Sequence, residues 1–542
     1  MSAPDLLFTG GNVHTVDPDR PHADAIAVRD GRIVWVGHAA DAPDWVRTAR
    51  ETRELDGRTV LPGFVDAHNH VRLGSDADCV QLAGADSLDE VAARLRAWEG
   101  EHPHGWIEAE GYSYAGLADG AHPTRQQLDA MVPDRPVVVF SYDVHTLWLN
   151  TLGLVALGIE VADQPFGTAE LGDDGVPTGF VADFAVKGLS RAGIRALRER
   201  GLPWASTDRQ YDRLLSSLEL AISCGITTVV EPQNSPDDIA LFERARDEGR
   251  LDPRLVLAMF HPSTTTADER AEFAELASTY ADDRLRVGPL KLYIDDVVEP
   301  HTAALHEDYA NEPGHRGSTY YEPAEFAELV TTLDREGFQL FVHATGDRGI
   351  TTVLDAIEHA RAVNGPRDAR HQVVHVECLR REDLPRFAEL GVVACMQPRH
   401  ASPDLAGPGH AWADAVGEDR WHQAWPLRSL QEYGATLAFS SDWNVAEMEP
   451  MVGIYSAVTR APLAGGAPWQ PEEAVSVEDA VRGYTMGSAV ANFCEHDRGS
   501  ITVGKLADLV VLDQDPYAID PAKLADVAVL ETWVGGERRF AS

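Results

Sequence analysis

The sequence predicts an α/β protein built on a (β/α)8 TIM barrel, with a small β-sandwich formed from both chain ends and a large insertion after the first barrel strand. Three observations predict this fold. Apolar strands alternate with helical stretches through the middle of the 542-residue chain, as in a parallel sheet with helical crossovers. Short β-type segments lie at both ends. About 150 residues separate the first two barrel strands, too many for a simple connection.

The two chain ends have the same kind of predicted secondary structure. Each has short apolar strands separated by glycine-containing turns such as Gly10-Gly11 and Gly535-Gly536. Neither end has a core of its own, so we expect residues 1–60 and 496–542 to pair into one small sandwich.

The middle of the chain supplies the eight strands and the intervening helices that a closed (β/α)8 barrel requires. The predicted strands span residues 63–68, 225–231, 255–260, 287–294, 338–343, 372–376, 392–397 and 436–441. The predicted helices span residues 208–223, 236–248, 267–281, 323–336, 350–363 and 381–390.

These elements divide the chain into further predicted parts. Residues 61–75 hold the first barrel strand and its loop, and residues 206–495 hold the rest of the barrel. Residues 76–205 form an inserted subdomain that we expect to cover the barrel mouth. In such barrels the chemistry lies at the carboxyl ends of the strands.

Composition restricts the class of protein and its partners. A net charge of −41 argues against nucleic acid and anionic membranes as partners, because phosphate binding needs basic patches. We see no apolar run long enough to span a membrane and no signal peptide. The five scattered cysteines favour a reducing cytoplasm over a disulfide framework. Barrels of this kind often associate, so a homodimer is one state to test.

The first barrel strand ends in two histidines that favour a metal site. In Leu61-Pro-Gly-Phe-Val-Asp-Ala-His-Asn-His70, the alternation of strand side chains places Asp66, His68 and His70 on one face. Two neutral imidazoles at one strand end can hold a single cation. The alternative is two polar residues at a loop mouth.

Further ligand-type residues follow other barrel strands. Lys291, His343, His375 and Asp442 lie at the predicted ends of the fourth, fifth, sixth and eighth strands. Each alone has a structural explanation: a lysine can reach the surface, a histidine can be a satisfied hydrogen bonder, and Ser-Asp can cap a helix. Together, at one end of one barrel, they favour a shared site.

Segments along the whole chain carry a family resemblance. They are residues 61–70, Pro136-Val-Val-Val with His145 and Asn150, Thr178-Gly, Gly225-Ile-Thr-Thr, Thr302-Ala-Ala-Leu with Arg316-Gly, Arg370-His371 ahead of His375, Gln397-Pro398, Ser441-Asp442 and residues 499–512. With these segments the chain resembles the amidohydrolase superfamily, and most closely its YtcJ-like branch of metal-dependent hydrolases (amidohydrolase family 3).

The resemblance implies a ligand set and catalytic roles. One divalent metal, with zinc expected, would be bound by His68 and His70, and a second by His343 and His375, with Lys291 bridging both as a carbamate. Asp442 would bind metal and act as general base toward water, whose pKa a bound cation lowers from about 15.7 toward 7. His145 or His375 would steady the oxyanion, although a structural role for His145 is equally open.

This chain departs from the family pattern at two positions. Asp296 stands where the family usually has glycine, and Asp183 stands where it usually has glutamate. Both could reshape the pocket, in which Tyr112, Tyr114 and Trp148 are candidate lining residues; core packing is the alternative for Trp148. Glu299 and His301 follow the fourth strand and could reach the mouth.

Three functions stay open. The first is hydrolysis of an amide-type C–N bond in a small, partly apolar substrate, such as an N-substituted formamide or an N-acyl amine. The second is deamination on the same fold, but deaminases of the superfamily tend to place a glutamate where this chain has Gly346. The third is a non-catalytic regulatory barrel.

Overall fold

The amino-terminal segment forms seven short strands before the barrel begins. The computed structural model describes residues 3–74, 78–85, 87–113 and 122–542. The strands are β1 (Leu6–Thr9), β2 (Asn12–His14), β3 (His22–Ala23), β4 (Ala25–Arg29), β5 (Arg32–Gly37), β6 (Glu51–Glu54) and β7 (Thr59–Pro62). The next strand, β8 (Phe64–Asp66), is the first strand of the barrel.

One glycine takes the chain from the terminal sheet into the barrel. A Cβ on Gly63, between β7 and β8, would lie 2.3 Å from the side chain of Thr227, so no larger residue fits without movement. The Gly63 N–H donates to the carbonyl of Asp508 at 2.9 Å. This close approach explains the Leu-Pro-Gly start of the histidine motif.

The described residues between β8 and the second barrel strand form a seven-stranded sheet of their own. Its strands are β9 (Val80–Gln81), β10 (Ile107–Tyr112), β11 (Val137–Ser141), β12 (Leu147–Leu149), β13 (Asp163–Gln164), β14 (Gly167–Leu171) and β15 (Pro177–Ala182). Its helices are α1 (Leu88–Glu101), α2 (Arg125–Met131), α3 (Thr151–Ala156), α4 (Phe184–Lys187) and α5 (Arg191–Glu199). The sheet order is β13-β14-β15-β12-β11-β10-β9.

The remaining barrel strands alternate with helices. After α6 (Thr207–Ser223) they are β16 (Ile226–Asn234), α7 (Ile239–Asp247), β17 (Arg254–Phe260), α8 (Ala267–Thr279), β18 (Leu285–Tyr293), α9 (Pro323–Arg335), β19 (Leu340–Ala344), α10 (Asp347–Asn364), β20 (Gln372–His375), α11 (Leu384–Leu390), β21 (Val393–Met396), α12 (Ala411–Val416), α13 (Leu427–Glu432) and β22 (Thr436–Phe439).

The eight barrel strands form one parallel sheet that is nearly closed. The order is β22-β21-β20-β19-β18-β17-β16-β8, and every neighbouring pair is parallel. The N–H of Ala67 donates to the carbonyl of Phe439 at 3.2 Å, and the N–H of Asp442 donates to the carbonyl of His68 at 2.9 Å, so the two edge strands meet. The predicted mixed α/β fold with an eight-stranded barrel sheet is confirmed in this form.

Apolar, β-branched sequences explain why these strands are buried on both faces. All nine residues of β16 are buried, as expected for a parallel strand between an interior and a layer of helices. The barrel interior is filled mainly by small and branched side chains such as Val256 and Ala258, together with the aromatic ring of Phe341. Helix α8 begins with a capping box in which Thr266 and Glu269 bond to each other's backbone N–H groups.

The carboxyl-terminal segment returns to the amino-terminal strands. After α14 (Pro450–Thr459), α15 (Val477–Arg482) and α16 (Ser488–Ala491) come β23 (Leu509–Leu512), β24 (Val529–Val534) and β25 (Glu537–Ala541). Strands of both ends make a six-stranded sheet of order β25-β24-β23-β7-β2-β3, and β5-β4-β1-β6 form a second sheet. One hydrophobic cluster contains residues of both sheets, including Phe8, Val60 and Trp533. The predicted domain boundaries stay predictions.

No helix among the described residues is long and apolar enough to cross a membrane.

Candidate metal centre

The sequence-predicted site residues lie together at the carboxyl end of the barrel. His68 and His70 follow β8, Lys291 lies in β18, His343 in β19, His375 ends β20 and Asp442 follows β22. All are buried except His70, whose side chain is 11% exposed. Residues that are up to 374 positions apart in sequence (442 − 68) therefore share one small space.

Asp442 is the residue around which the histidines gather. Its Oδ1 lies 3.4 Å from Nε2 of His68 and 3.3 Å from Nε2 of His70, and its Oδ2 lies 3.6 Å from Nδ1 of His375. Ligand atoms of His68, His375 and Asp442 all lie within 4.8 Å of one another, close enough to hold one ion. We call these three residues the first ligand group.

The other three predicted ligands surround this group. The ring centroid of His343 lies 4.4 Å from that of His375, while its Nε2 donates to the carbonyl of Asp296 at 3.0 Å. The Nζ atom of Lys291 lies 4.6 Å from the ring centroid of Tyr293, and that ring stacks on His343 with centroids 4.7 Å apart. All six predicted side chains are therefore near the centre, with His68, His375 and Asp442 already in mutual reach.

The donor atoms present fit a divalent cation. Both ring nitrogens of His68, Nζ of Lys291 and Oδ1 of Asp442 are buried and have no hydrogen-bond partner among the described residues. A buried polar atom without a partner costs about 1–3 kcal/mol, so such atoms seldom cluster without a reason. Imidazole nitrogens and a carboxylate are the ligands that zinc and its neighbours prefer.

Burial keeps the histidines in the form that binds metal. Burial, aided by the positive charge of Lys291, lowers the pKa of His68, His343 and His375 well below the ordinary value, so each imidazole is neutral and keeps a lone pair. Burial also lowers the pKa of Lys291 to about 8, against the opposing attraction of Asp442.

Buried polar residues fix the two strand ends that carry the first ligand group. The carboxylate of Asp66 accepts the N–H of Ser441 at 3.0 Å, its hydroxyl at 2.5 Å and the side-chain amide of Asn69 at 2.9 Å. Gln397 donates to the hydroxyl of Ser440 at 2.9 Å, and its Oε1 accepts from Nδ1 of His375 at 2.9 Å. These bonds tie β8 to β22 and set the orientation of His375.

The inserted sheet brings His145 to the same end of the barrel. Its Nδ1 contacts the carboxylate of Asp296, which follows β18. Burial opposes a charge on His145, but Asp296, Asp143 and Asp442 outweigh it and raise its pKa to about 9, so the ring is an imidazolium at neutral pH. The hydroxyl of Tyr142 similarly donates to Glu299 at 3.4 Å.

Two cavities are lined by residues that are near the predicted ligands in the chain. One of about 230 Å³ is lined by Leu73, Phe140, Val144 and Trp443, among others. Trp443 directly follows Asp442. A second of about 300 Å³ is lined by residues that include Tyr293. Both have room for a small, partly apolar organic group.

Comparison with known proteins identifies the family. The model of the amidohydrolase family matches residues 51–540, which is most of the chain. The chain belongs to the amidohydrolase family. The resemblance drawn from the sequence motifs is thereby confirmed.

Three related proteins match this chain along nearly its whole length. This chain is 29% identical to Protein LONG AFTER FAR-RED 3 of Arabidopsis thaliana, over 99% of this chain and 91% of that protein. It is also 29% identical to N-substituted formamide deformylase of Arthrobacter pascens, over 99% of this chain and 98% of that protein. Identity to the putative amidohydrolase YtcJ of Bacillus subtilis is 27%, over 98% of each.

A solved structure shows the same architecture. An uncharacterized metal-dependent hydrolase of Pyrococcus horikoshii superposes with a TM-score of 0.74 over 95% of this chain and 99% of that one, at 22% identity. At that identity the likeness shows the fold of this amidohydrolase-family chain.

Several residues at the centre were not found from the sequence. Glu231 lies in β16 with its Oε1 3.9 Å from Nδ1 of His70. The sequence feature that could have revealed it is a carboxylate at the end of a predicted strand. Glu377 and His400 approach His375 from the loops after β20 and β21. Asp296 was noticed only as a departure from the family; its pairing with His145 spans 151 positions and leaves no local pattern.

The structure shows the surroundings of most residues that the sequence offered as pocket candidates. Trp148 and Tyr112 are buried in a hydrophobic cluster of the inserted sheet, with ring centroids 5.9 Å apart, so core packing describes Trp148. Tyr114 lies outside the described residues. His301 pairs with Glu312 at 2.6 Å and is not part of the first ligand group.

Proposed function

We propose that this amidohydrolase-family chain is a metal-dependent hydrolase that cleaves an amide-type C–N bond in a small substrate. N-substituted formamides and N-acyl amines are the substrate classes to test first. The observation that carries the proposal is the first ligand group, in which a histidine from β8, a histidine from β20 and the carboxylate after β22 come within reach of one ion. The deformylase named among the relatives supports the substrate class.

The residues that would hold the cation are His68, His70, His343, His375, Lys291 and Asp442, with zinc as the expected ion. Such an ion supplies a Lewis acid that lowers the pKa of water and polarises a carbonyl. Lys291 would take part as a carbamate, formed when its neutral amine adds carbon dioxide and releases a proton to solvent, because an ammonium has no lone pair to give. Its buried Nζ, without a hydrogen-bond partner in the described part of the chain, supports that role.

Asp442 is the proposed proton carrier. Its Oδ1 has no hydrogen-bond partner among the described residues, so one lone pair faces the centre unused. A carboxylate there can accept a proton from the attacking water and return it to the nitrogen of the leaving amine. The same side chain thus serves both halves of the reaction.

His145 is the proposed partner of the developing oxyanion, with His375 as the other candidate. The contact with Asp296 fixes the His145 ring at the barrel mouth and leaves its Nε2 as a donor. A positioned donor strengthens its hydrogen bond as negative charge builds on the carbonyl oxygen. Asp296 would orient the ring without touching the substrate.

The deaminase alternative meets a steric obstacle. A side chain at position 346 would place its Cβ 2.2 Å from the carbonyl oxygen of Ala304, so a glutamate cannot enter there without backbone movement. The regulatory alternative predicts a barrel that needs no proton carrier at Asp442.

A substrate panel tests the proposal. Purified protein loaded with zinc is incubated with N-formyl and N-acyl amines, and amine release is measured. We expect release from at least one class, lost in Asp442→Asn. Ammonia release from ring amidines without any amide cleavage would favour the deaminase, and a metal-loaded, folded protein inactive on every compound would argue against hydrolysis.

A further inference from the structure

A second group of metal-type ligands lies beside the first. Ligand atoms of His375, Glu377 and His400 all lie within 4.8 Å of one another. His375 ends β20, Glu377 follows two residues later, and His400 lies in the loop after β21. We call these three residues the second ligand group. None of the roles assigned above uses Glu377 or His400.

His400 points to a missing ligand in this group. Its Nε2 is buried and has no hydrogen-bond partner among the described residues, although imidazole nitrogens in protein interiors are usually bonded. The backbone N–H of His400 donates to the carbonyl of Gln397 at 3.1 Å, which fixes the loop close to His375. An imidazole held in place with an unused nitrogen is preorganised for a ligand.

Glu377 is a buried carboxylate held in position by tryptophans. It is 7% exposed, and its Oε2 accepts the indole N–H of Trp412 at 2.9 Å. The backbone N–H of Trp425 donates to the backbone carbonyl of Glu377 at 2.9 Å. These two bonds fix the carboxyl group beside His375 and His400, where one of its oxygens can complete a set of ligands for a cation.

His375 can serve one cation at a time. Its Nδ1 donates to Gln397, whose amide is oriented by its own bond to Ser440, so the lone pair lies on Nε2. If His375 binds an ion together with Glu377 and His400, an ion at Asp442 would still have His68 and His70 as ligands. The Nε2 atoms of both histidines lie within 3.4 Å of Asp442 Oδ1. Both positions can therefore be filled together.

We propose that His375, Glu377 and His400 form a second cation site at the barrel mouth, which takes a borderline divalent ion such as Zn²⁺ or Co²⁺. Two imidazoles and one carboxylate are a donor set that suits these ions, whereas Mg²⁺ and Ca²⁺ prefer oxygen alone. The inference goes beyond the proposed function, because the site can bind an ion whether or not the protein cleaves an amide.

Metal titration of the full-length protein tests the site. Metal-free protein is titrated with Co²⁺, and bound metal per chain and the visible absorption spectrum are recorded for the wild type, Glu377→Gln, His400→Asn and His68→Ala. We expect two ions in the wild type. Glu377→Gln and His400→Asn should each weaken one binding event at least tenfold, because even the loss of an outer-shell partner of a ligand typically costs about 10–100-fold in metal affinity. His68→Ala should weaken the other event and leave the second group able to bind.

His359→Gln, an exposed histidine on α10, is the matched control and should bind like the wild type. Circular dichroism confirms that each variant is folded; if one of the two second-group variants does not fold, the other decides. Unchanged binding in Glu377→Gln or His400→Asn would overturn the site. So would a second ion that is lost in His343→Asn but kept in both second-group variants.

These outcomes are separate from the test of hydrolysis. Amide cleavage by a protein whose metal content does not respond to Glu377 or His400 would overturn the second site and leave the proposed function standing. A protein that binds two ions as described but cleaves no amide would support the second site and overturn the proposed function. Binding of a primary amine that depends on Glu377 but not on His400, with no metal effect, would identify an ammonium site instead.

Discussion

Asp442 is the side chain on which the proposed chemistry depends most. It is 4% exposed and lies within 3.6 Å of three histidines. Asp442→Asn keeps the shape but removes the charge and most of the basicity. Because a positioned general base contributes about 10²–10⁴-fold, we expect turnover to fall by at least about 100-fold. The measurement is kcat on any amide that the wild type cleaves.

Glu449→Gln is the control for this substitution, because Glu449 is exposed and precedes α14 in the same loop region. It should keep wild-type activity. An Asp442→Asn variant that is folded and cleaves the amide at the wild-type rate would remove Asp442 from the role of base.

Sequence reasoning located the six ligand candidates because each sits where an apolar strand stops. It could not locate the partners that orient them. His145, in the turn between β11 and β12, meets Asp296 after β18, and Gln397 meets His375 between adjacent strands. Such pairs depend on three-dimensional register, and neither residue type nor spacing in the chain indicates them.

At the scale of elements, Asp334 ties α9 to the segment that leads into β20. Its carboxylate accepts from Arg367 at 2.6 Å and from Nε2 of His371 at 3.2 Å. His371 is a donor there because its Nδ1 accepts the N–H of Leu340 at 3.1 Å. Burial opposes ionisation of Asp334, but the hydrogen bonds from His371, Asn364 and Arg367 outweigh it and lower its pKa.

This network predicts a pH dependence of stability. A carboxyl whose pKa is lower in the folded than in the unfolded state, where it is about 3.9, stabilises the fold above that value and loses the effect as pH falls. Asp334→Asn should therefore lower the denaturation midpoint at pH 7, and its difference from the wild type should shrink below about pH 4. A difference that is constant from pH 7 to pH 3 would contradict this account.

The eight barrel strands were predictable because parallel strands buried on both faces are short continuous apolar runs. Each predicted strand overlaps an observed one. The limits differ where the apolar pattern ends: β16 continues three residues past the predicted end at Glu231, through Pro232 and Gln233 to Asn234, and all three are buried. Helix α10 begins at Asp347, three residues before the predicted start, in a segment where Gly346 and Gly349 weaken the helical signal.

At the scale of the whole molecule, a buried ion pair joins the barrel to the terminal sheets. Arg254, the first residue of β17, makes two hydrogen bonds to Asp508 before β23, at 2.7 and 3.0 Å. Both side chains are 2% exposed. Since removing one partner of a buried pair typically costs about 3–5 kcal/mol, we expect Arg254→Met to destabilise the protein by about that amount. Asp508→Leu should cost less, because Arg254 keeps its contact with Asp283 at 2.8 Å.

The double variant Arg254→Met/Asp508→Leu should lose less stability than the sum of the two single variants, because no charge is left buried without a partner. Urea denaturation of all four proteins measures the coupling. Additive losses would show that the pair does not join the two parts energetically.

The central claim is that His68 and Asp442 hold a bound cation at the carboxyl end of the barrel. The most direct test is a crystal of the zinc-loaded protein, with anomalous diffraction recorded on both sides of the zinc absorption edge. The account predicts an anomalous peak within about 2.0–2.2 Å of ligand atoms of His68 and Asp442. Zinc-dependent activity in a crystal form with no peak among these side chains would contradict it.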